Sequence, residues 1–494
     1  MWSAPAPAPH TVTRRPQCPS CGVFIPRDGA AASPPHLESR PAIRASDGGY
    51  RVREPRDVIA QLDRHVSPIT GIVSAIEPGE RTWGGGVHAG GQLTATFAAD
   101  HTFSDMHDER YFLYDGMRRR SGGKGKTPDQ ARASALAESL ERYCGVFDGT
   151  EPRIRATFAD LGDAALHPNA CTTYSDRQYA ERDAHNRKDH KAHWVPEPFR
   201  DDVEIEWTPL WSLSKETTRY LPTSYCYFGY QSREPVFARA DSNGCAAGSV
   251  IEEAILQGLL ELIERDAVAI WWYNRLQRPA VDLSTADDSY VSALVAHYTE
   301  LKRELWALDV TSDLGIPTFA AISRRVDKAE EDIIYGFGAH LDPRIALTRA
   351  LTEINQSLEA VPLVIGPESG RTYRGHKEAI RWWRTVRAVE SPYLLPDPSS
   401  APRHVAGFKK LASDDLSRDI QTCITVAASR GIEVLVLDQT RPDVGLPVVR
   451  IVAPGLRHFW ARFGPGRLYD VPVKEHWLSR PLREEELNAS VIQF

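Results

Sequence analysis

The sequence has no apolar run approaching the roughly 18–20 residues that a membrane-spanning helix needs. Its start, MWSAPAPAPH, has no basic segment leading into an apolar stretch, so neither a membrane span nor a secretory signal is expected. A surplus of positive charge is also missing. The formal net charge is −7, which argues against a nucleic-acid binder relying on a dominant basic surface. Cysteine is scarce and odd in number: Cys18, Cys21, Cys144, Cys171, Cys226, Cys245 and Cys423. A scattered odd set in a long chain is not a disulfide framework, so a reducing, cytoplasmic setting is expected. Cys18-Pro19-Ser20-Cys21-Gly22 is one half of a zinc tetrathiolate, and the chain has no second CxxC. Nothing in the spacing of His10 or His36 supports their completing the set, so zinc at Cys18/Cys21 is not expected from this chain alone. No repeat at solenoid periods is present.

The 494 residues are 42% hydrophobic and 25% charged, an ordinary globular composition with length for a large core. Residues 1–48 are rich in Ala, Pro and Ser with little apolar periodicity and read as a flexible N-terminal segment carrying the isolated CPSCG motif. Folded texture begins near Tyr50 and continues to about Val491 without a comparable linker, giving one domain over 49–494. Asp176 to His193 is dense in charge and reads as an exposed loop or insert. Strand-like runs at Gly71 to Ala75, Gln92 to Phe97, Pro317 to Ile322, Ile333 to Phe337, Ile432 to Leu437 and Pro447 to Val452 interleave with long helical patterns. The fold class is mixed α/β (α+β), with the strand order open.

Two helical stretches carry the chemistry. In the first, RRRSGGKGK at 118–126 precedes Thr127-Pro128-Asp129-Gln130, where Thr127 is a cap, Pro128 fits the first turn and Gln130 completes a capping box. The helix should run from about Pro128 to Tyr143 and place Ser134, Glu138 and Glu141 on one face, at i, i+4 and i+7. A Gly-rich loop with Lys124 before a helix start suits phosphate binding. The plainer reading is a solvated face beside a flexible basic loop.

In the second, SNGCAAGSVIEEAILQGLLELIERD at 242–266 has Ser249 as a cap and Glu252 in box position. Ser249, Glu253, Gln257, Glu261 and Glu264 fall on one stripe of a helix that is otherwise apolar. Such a helix is normally buried, and buried carboxylates are costly unless paired or metal-bound. The alternatives are a salt-bridge network with Arg265 or Arg349, or a divalent cation of the Mg2+ type bridging carboxylates to phosphates. A third helix opens at Asp342-Pro343 and sets Arg349 and Glu353 at i and i+4, which by itself reads as an intrahelical ion pair.

The strings SxxxExxER (134–142), SNGxAAGxxxEEAxxxGLxELIERDA (242–267) and RALTE (349–353) together resemble the motifs of the YcaO-domain family. HVSPITGIVS at 65–74, SGGKGKT at 121–127 and PGLRHFWARFGPGRLYDVPV at 454–473 resemble the thiazole/oxazole-forming peptide maturase (cyclodehydratase) subgroup. The resemblance covers about Asp47 to Asn488. It implies a YcaO-like ATP-binding fold and an enzyme that phosphorylates backbone amides of a ribosomally made precursor peptide, converting Cys, Ser or Thr into thiazoline or oxazoline rings. ATP and Mg2+ are the implied cofactors. Glu138, Glu141, Glu261 and Glu264 would hold Mg2+. Ser134, Ser249, Glu253 and Arg265 would contact nucleotide, Arg349 and Glu353 would face it from the third helix, and Lys124 would add a phosphate contact. Glu138 and Glu141 would also serve the nucleotide.

The same resemblance implies a separate ThiF-like leader-binding partner, because a CPxCG string in related proteins joins such a domain. A flavin dehydrogenase is a further candidate partner, and a homodimer is compatible. Subgroup members commonly end in a proline-rich tail near the active site, whereas here Leu487 to Phe494 reads LNASVIQF. That departure keeps thioamide or amidine formation open. A non-catalytic scaffold is a third reading. The catalytic base is not assigned; His65, His88 and the terminal carboxylate are the candidates.

Overall fold

A computed structural model describes residues 11–12, 22, 29, 31–45, 49–79, 93–101, 120–187, 194–231, 235–358, 360–361 and 377–492. Among the described residues four sheets are present. The largest has strands Ile154–Ala156, Ile205–Ser212, Leu435–Asp438, Val448–Val452 and Cys245–Ala247 in that order, with Thr217–Pro222 also pairing Ile205–Ser212. A second runs Ile334–Ala339, Thr318–Arg325, Arg303–Asp309, Ala280–Asp282 and Arg403–His404. A third pairs Val73–Pro78, Ala95–His101 and Arg120–Gly125, and the smallest pairs Ile43–Ala45 with Gly49–Arg51. The mixed α/β expectation holds, and each of the six strand-like runs contains or overlaps a strand.

The helix Ile251–Asn274 is the spine. Its first half, Ala254 to Ile263, packs into a core with Val449, Ile451 and Ile420. Its second half, Val268 to Tyr273, packs into a separate core with Phe319, Phe337 and Leu351. Burial on nearly every side explains its apolar sequence and leaves only the acidic stripe for a cleft. The helices Pro128–Cys144 and Pro343–Leu358 flank it, each lying on a strand.

Three local expectations are corrected. The Gly-Lys stretch is a strand, Arg120–Gly125, antiparallel to Ala95–His101, rather than a loop. Its glycines serve packing: a Cβ on Gly123 would lie 1.9 Å from the Ala131 carbonyl oxygen and 2.4 Å from the Ala135 nitrogen, so the 128–144 helix rests directly on the strand. Ser249 does not cap the second helix, which starts after Val250 with no side-chain cap. Asp176 to Asn186 forms two short helices, Asp176–Ala180 and Arg182–Asn186, the first opened by a Ser175/Gln178 capping box. Thr127 does cap its helix, accepting from the Gln130 N–H at 3.3 Å.

Part of the N-terminal segment has a defined course. Leu37 and Ala42 pack against the core. Ser39 Oγ donates to the Asp415 carboxylate, and the Ala42 N–H donates to the Asp414 carbonyl at 3.1 Å. The motif cysteines Cys18 and Cys21 lie outside the described residues. No helix among the described residues is long and apolar enough to cross a membrane.

Candidate active site

A cleft of about 1490 Å³ opens between the three helices and the sheets beneath them. Lys124, Ser134, Glu138, Glu141, Ser249, Glu253, Glu261, Glu264, Arg265, Arg349 and Glu353 all line it, so residues up to 229 apart in sequence are brought together. The 128–144 helix presents Ser134, Glu138 and Glu141, while the 251–274 helix presents Glu261 and Glu264 opposite them.

The carboxylates are held in a strained electrostatic state. Arg142 lies 2.7 Å from Glu141 and 3.3 Å from Glu138. Even so, burial pushes the Glu141 carboxyl up to about 8; Arg142 pulls it down, while Glu138 and Glu261 push it up further. Burial likewise raises Glu261, against Arg265 and the Gly244 N–H, which donates to it at 3.1 Å. Burial raises Glu264 to about 7, opposed by Arg265 and assisted by Glu353 and Glu261. The Ala339 N–H donates to one Glu264 oxygen at 3.1 Å, and Arg265 sits 3.5 Å from the other.

Acids that raise one another's pKa inside a protein are short of positive charge. A hard, oxygen-preferring dication fits that donor set, and Mg2+ in particular is bound by one or two carboxylates together with substrate phosphates. Among the described residues, no three carboxylate, imidazole or thiol groups close on one point by themselves.

Other site residues have more structural duties than the sequence suggested. Glu253 accepts from the Ser249 N–H at 2.8 Å, the Ser249 hydroxyl at 2.9 Å and the Val52 N–H at 2.6 Å. Ser249 and Glu253 therefore brace each other and the chain entering the domain. Glu252, expected in a capping box, instead accepts from the Glu38 N–H at 2.7 Å and lies 3.6 Å from Arg40. Arg349 and Glu353 do not pair with each other. Arg349 donates to Gln257 at 2.6 Å and to the Ala339 carbonyl at 3.2 Å; burial lowers its pKa to about 10. Glu353 accepts from Lys124 at 2.8 Å and from the Phe337 N–H at 2.5 Å. Burial opposes ionisation of Glu353, but Lys124, Arg265 and that N–H together hold it below the usual carboxylate range.

Several lining groups were not assigned from the sequence. Arg142 neutralises two carboxylates; its position four residues after Glu138 was the available signal. Gly49, Arg51 and Arg53 bring the N-terminal hairpin to the cleft, and Val491 and Ile492 bring the C-terminal tail. The tail is fixed by Trp272 Nε1 donating to the Ser490 carbonyl at 2.6 Å and the Asn488 N–H donating to Tyr273 at 2.8 Å. No periodic pattern marks either contribution. Of the base candidates, His65 is buried against the Val444 carbonyl at 3.0 Å and is not among the cleft-lining residues. His88 and the terminal carboxylate of Phe494 lie outside the described residues.

Comparison with known proteins identifies the family. The family model described as YcaO cyclodehydratase, ATP- and Mg2+-binding, matches residues 122–457. An uncharacterized protein of Methanothermobacter thermautotrophicus is 28% identical over 349 residues, covering 70% of this chain and 83% of that one. A heterocyclase solved in complex with substrate and cofactor is 44% identical with a TM-score of 0.86, over 97% of this chain and 62% of that one. The heterocyclase TruD is 40% identical with a TM-score of 0.75, over 98% of this chain and 59% of that one. This chain thus spans about six-tenths of the length of those two heterocyclases. A YcaO protein from Methanopyrus kandleri, solved with AMPPCP and Mg2+, shares the fold at 19% identity and a TM-score of 0.56, over 83% of this chain and 93% of that one. Two acidic-faced helices and a third bearing Arg349 and Glu353 line one cleft, and a family match spanning all three leads to one conclusion: the chain belongs to the YcaO family of ATP- and Mg2+-binding cyclodehydratases.

Proposed function

We propose that the protein is an ATP-dependent cyclodehydratase that forms thiazoline or oxazoline rings in a ribosomally made precursor peptide. The observation that carries this reading is the facing set Glu138, Glu141, Glu261 and Glu264, whose burial and mutual repulsion leave a site short of positive charge. The 44% identity to a heterocyclase solved with substrate and cofactor supports it.

Bound between these carboxylates and the nucleotide, Mg2+ would neutralise phosphate charge and align the γ-phosphoryl group. Arg265, held against Glu264, and Lys124, held against Glu353, supply fixed positive charge to the phosphates. Arg349, anchored by Gln257, orders the nucleotide from the third helix, and Ser134 and Ser249 offer hydroxyls along its path. Ser249 and Glu253 hold the start of the 251–274 helix in place.

In the reaction, the Cys, Ser or Thr side chain adds to the preceding backbone carbonyl carbon and gives up its proton. The carbonyl oxygen then takes the γ-phosphoryl group and ADP departs. The amide nitrogen loses its proton as its electrons expel phosphate, completing the C=N bond of the ring. One ATP gives one ring, one ADP and one phosphate. Amide oxygen is a poor leaving group, and phosphorylation makes it a good one.

The substrate is delivered by a ThiF-like leader-binding protein, in the reducing setting of the cytoplasm; a flavin dehydrogenase would oxidise azolines to azoles. Incubation with ATP, Mg2+, the leader-binding protein and a precursor peptide should remove one water per ring with matching ADP release. Absence of any such loss with every partner combination refutes the proposal. Thioamide formation is the second reading, which exchange of a backbone oxygen for sulfur in the product would identify. A non-catalytic scaffold is refuted if calorimetry shows MgAMPPCP binding that depends on Glu138.

A further inference from the structure

The cleft is larger than a nucleotide needs and changes character along its length. Its volume of about 1490 Å³ exceeds the roughly 300–1,000 Å³ of a single small-molecule pocket. Away from the glutamates, one contiguous wall is built from aromatic rings and guanidinium groups. Arg239 lies 3.7 Å from the centre of the Trp194 ring. Tyr174 donates its hydroxyl to the Trp194 carbonyl at 2.5 Å. Arg462 lies 4.0 Å from the Tyr174 ring and 5.7 Å from that of Trp460. Asp241, the acid beneath this wall, is committed to Arg450 at 3.3 Å and His458 at 3.5 Å.

Two chain segments join this wall to the carboxylate end. In the first, Gly244 donates to Glu261 three residues after Asp241. In the second, Phe459 lies under Arg265, with 4.3 Å from guanidinium to ring centre, while its neighbours His458 and Trp460 stack on each other toward the aromatic wall. A ligand on the wall is therefore adjacent to a nucleotide held at the carboxylates.

We propose that this wall is the acceptor-peptide subsite, holding the residues that flank the amide to be phosphorylated. The proposal rests on the cyclodehydratase reading and adds a place and a preference to it. Rings give an extended peptide flat apolar contact, and a guanidinium stacked on a ring presents N–H donors around its edge to backbone carbonyls and carboxylates. Flanking Asp or Glu is favoured and flanking Lys or Arg is rejected.

The test uses two synthetic octapeptides, acetyl-Gly-Ala-Asp-Ile-Cys-Gly-Asp-Ala-amide and its counterpart with Lys for both Asp. Each is titrated into the full-length protein saturated with MgAMPPCP while tryptophan fluorescence is read. The Asp peptide should bind about three- to tenfold tighter than the Lys peptide, as expected for one or two exposed charge contacts. Arg239→Ala should remove most of that difference, and Trp194→Leu should weaken both peptides. Arg239 is exposed, so its truncation carries the test if Trp194→Leu disturbs the cleft, which a parallel MgAMPPCP titration shows. Equal affinity of both peptides for the parent protein, no saturable signal at millimolar peptide, or ring formation at the parent rate in Arg239→Ala/Trp194→Leu overturns the inference. Those results leave the cyclodehydratase reading intact. Arg239-dependent binding without ring formation on any peptide has the opposite meaning, a peptide site on an enzyme of different chemistry.

Discussion

Replacing Glu141 by Gln should make the nucleotide-free protein more stable than the parent and abolish the stabilisation that the parent gains from nucleotide. Burial raises the Glu141 carboxyl from an ordinary 4.5 to about 8. Between those values the folded protein binds a proton that the unfolded chain has released, so this group's contribution to stability falls as pH rises through that window. At pH 7 the interval from 4.5 corresponds to about 3 kcal/mol at 1.36 kcal/mol per pKa unit. Gln has nearly the same volume, keeps an acceptor for Arg142 and has no proton to lose, so most of that penalty disappears. With MgAMPPCP at 100 times its dissociation constant, the parent gains about 2.7 kcal/mol, a gain the variant loses with its metal ligand. Denaturant titrations with and without MgAMPPCP, at pH 5 and pH 7, read all four quantities. The variant's advantage should shrink to under about 1 kcal/mol at pH 5, because the folded parent still holds the Glu141 proton and pH 5 lies only about half a unit above the ordinary 4.5 of the unfolded chain. Ring formation and ATP turnover by the variant should be abolished. A variant that is less stable than the parent without nucleotide, yet binds MgAMPPCP as well, refutes the assignment of Glu141 to the metal.

Gly123→Ala should destabilise by at least about 3 kcal/mol, because the new Cβ meets backbone atoms of the 128–144 helix that cannot move singly; a thermal melt within a degree of the parent would contradict the packing role. Lys124→Ala leaves Glu353 buried with the Phe337 N–H as its hydrogen-bond donor and only the longer-range charge of Arg265 and should cost about 3 kcal/mol, while adding Glu353→Gln should recover most of it; additive losses in chemical denaturation would show that the pair is not coupled. Arg40→Ala should cost about 1–2 kcal/mol and increase amide hydrogen exchange in the first turn of the 251–274 helix, where Glu252 is held; unchanged exchange there would mean that residues 37–42 do not brace the helix.

The parts legible in the sequence share one physical basis. Glu138 and Glu141, or Glu261 and Glu264, are fixed relative to each other by helical period alone, so a one-dimensional pattern carries their geometry. An acidic stripe on an otherwise apolar helix signals burial with a compensating ligand, and Glu261 and Glu264 do sit in the cleft. Thr127 and Asp342 were equally readable because a cap acts within three residues; Asp342 accepts from the Arg344 N–H at 3.0 Å. What escaped was set by partners distant in sequence. RSGGKG looks like a loop because glycine is a poor strand former, yet a helix pressed against the strand requires those glycines and pairing with Ala95–His101 supplies the hydrogen bonds. Ser249 and Glu252 have the form of a capping box, but Glu253 offers Ser249 two bonds and the Glu38 N–H draws Glu252 away. Arg349 and Glu353 have ion-pair spacing, yet each finds a buried partner from another element: Gln257 for one, Lys124 for the other. In the last two cases a local interaction, a cap worth about 1 kcal/mol or a helix-surface ion pair worth a few tenths, competes with satisfying a buried polar group, where failure costs about 1–3 kcal/mol. The buried contact wins. That inequality also explains why the misread residues cluster at the cleft: it gathers charge from several elements, so its polar groups are the ones whose partners local sequence cannot supply.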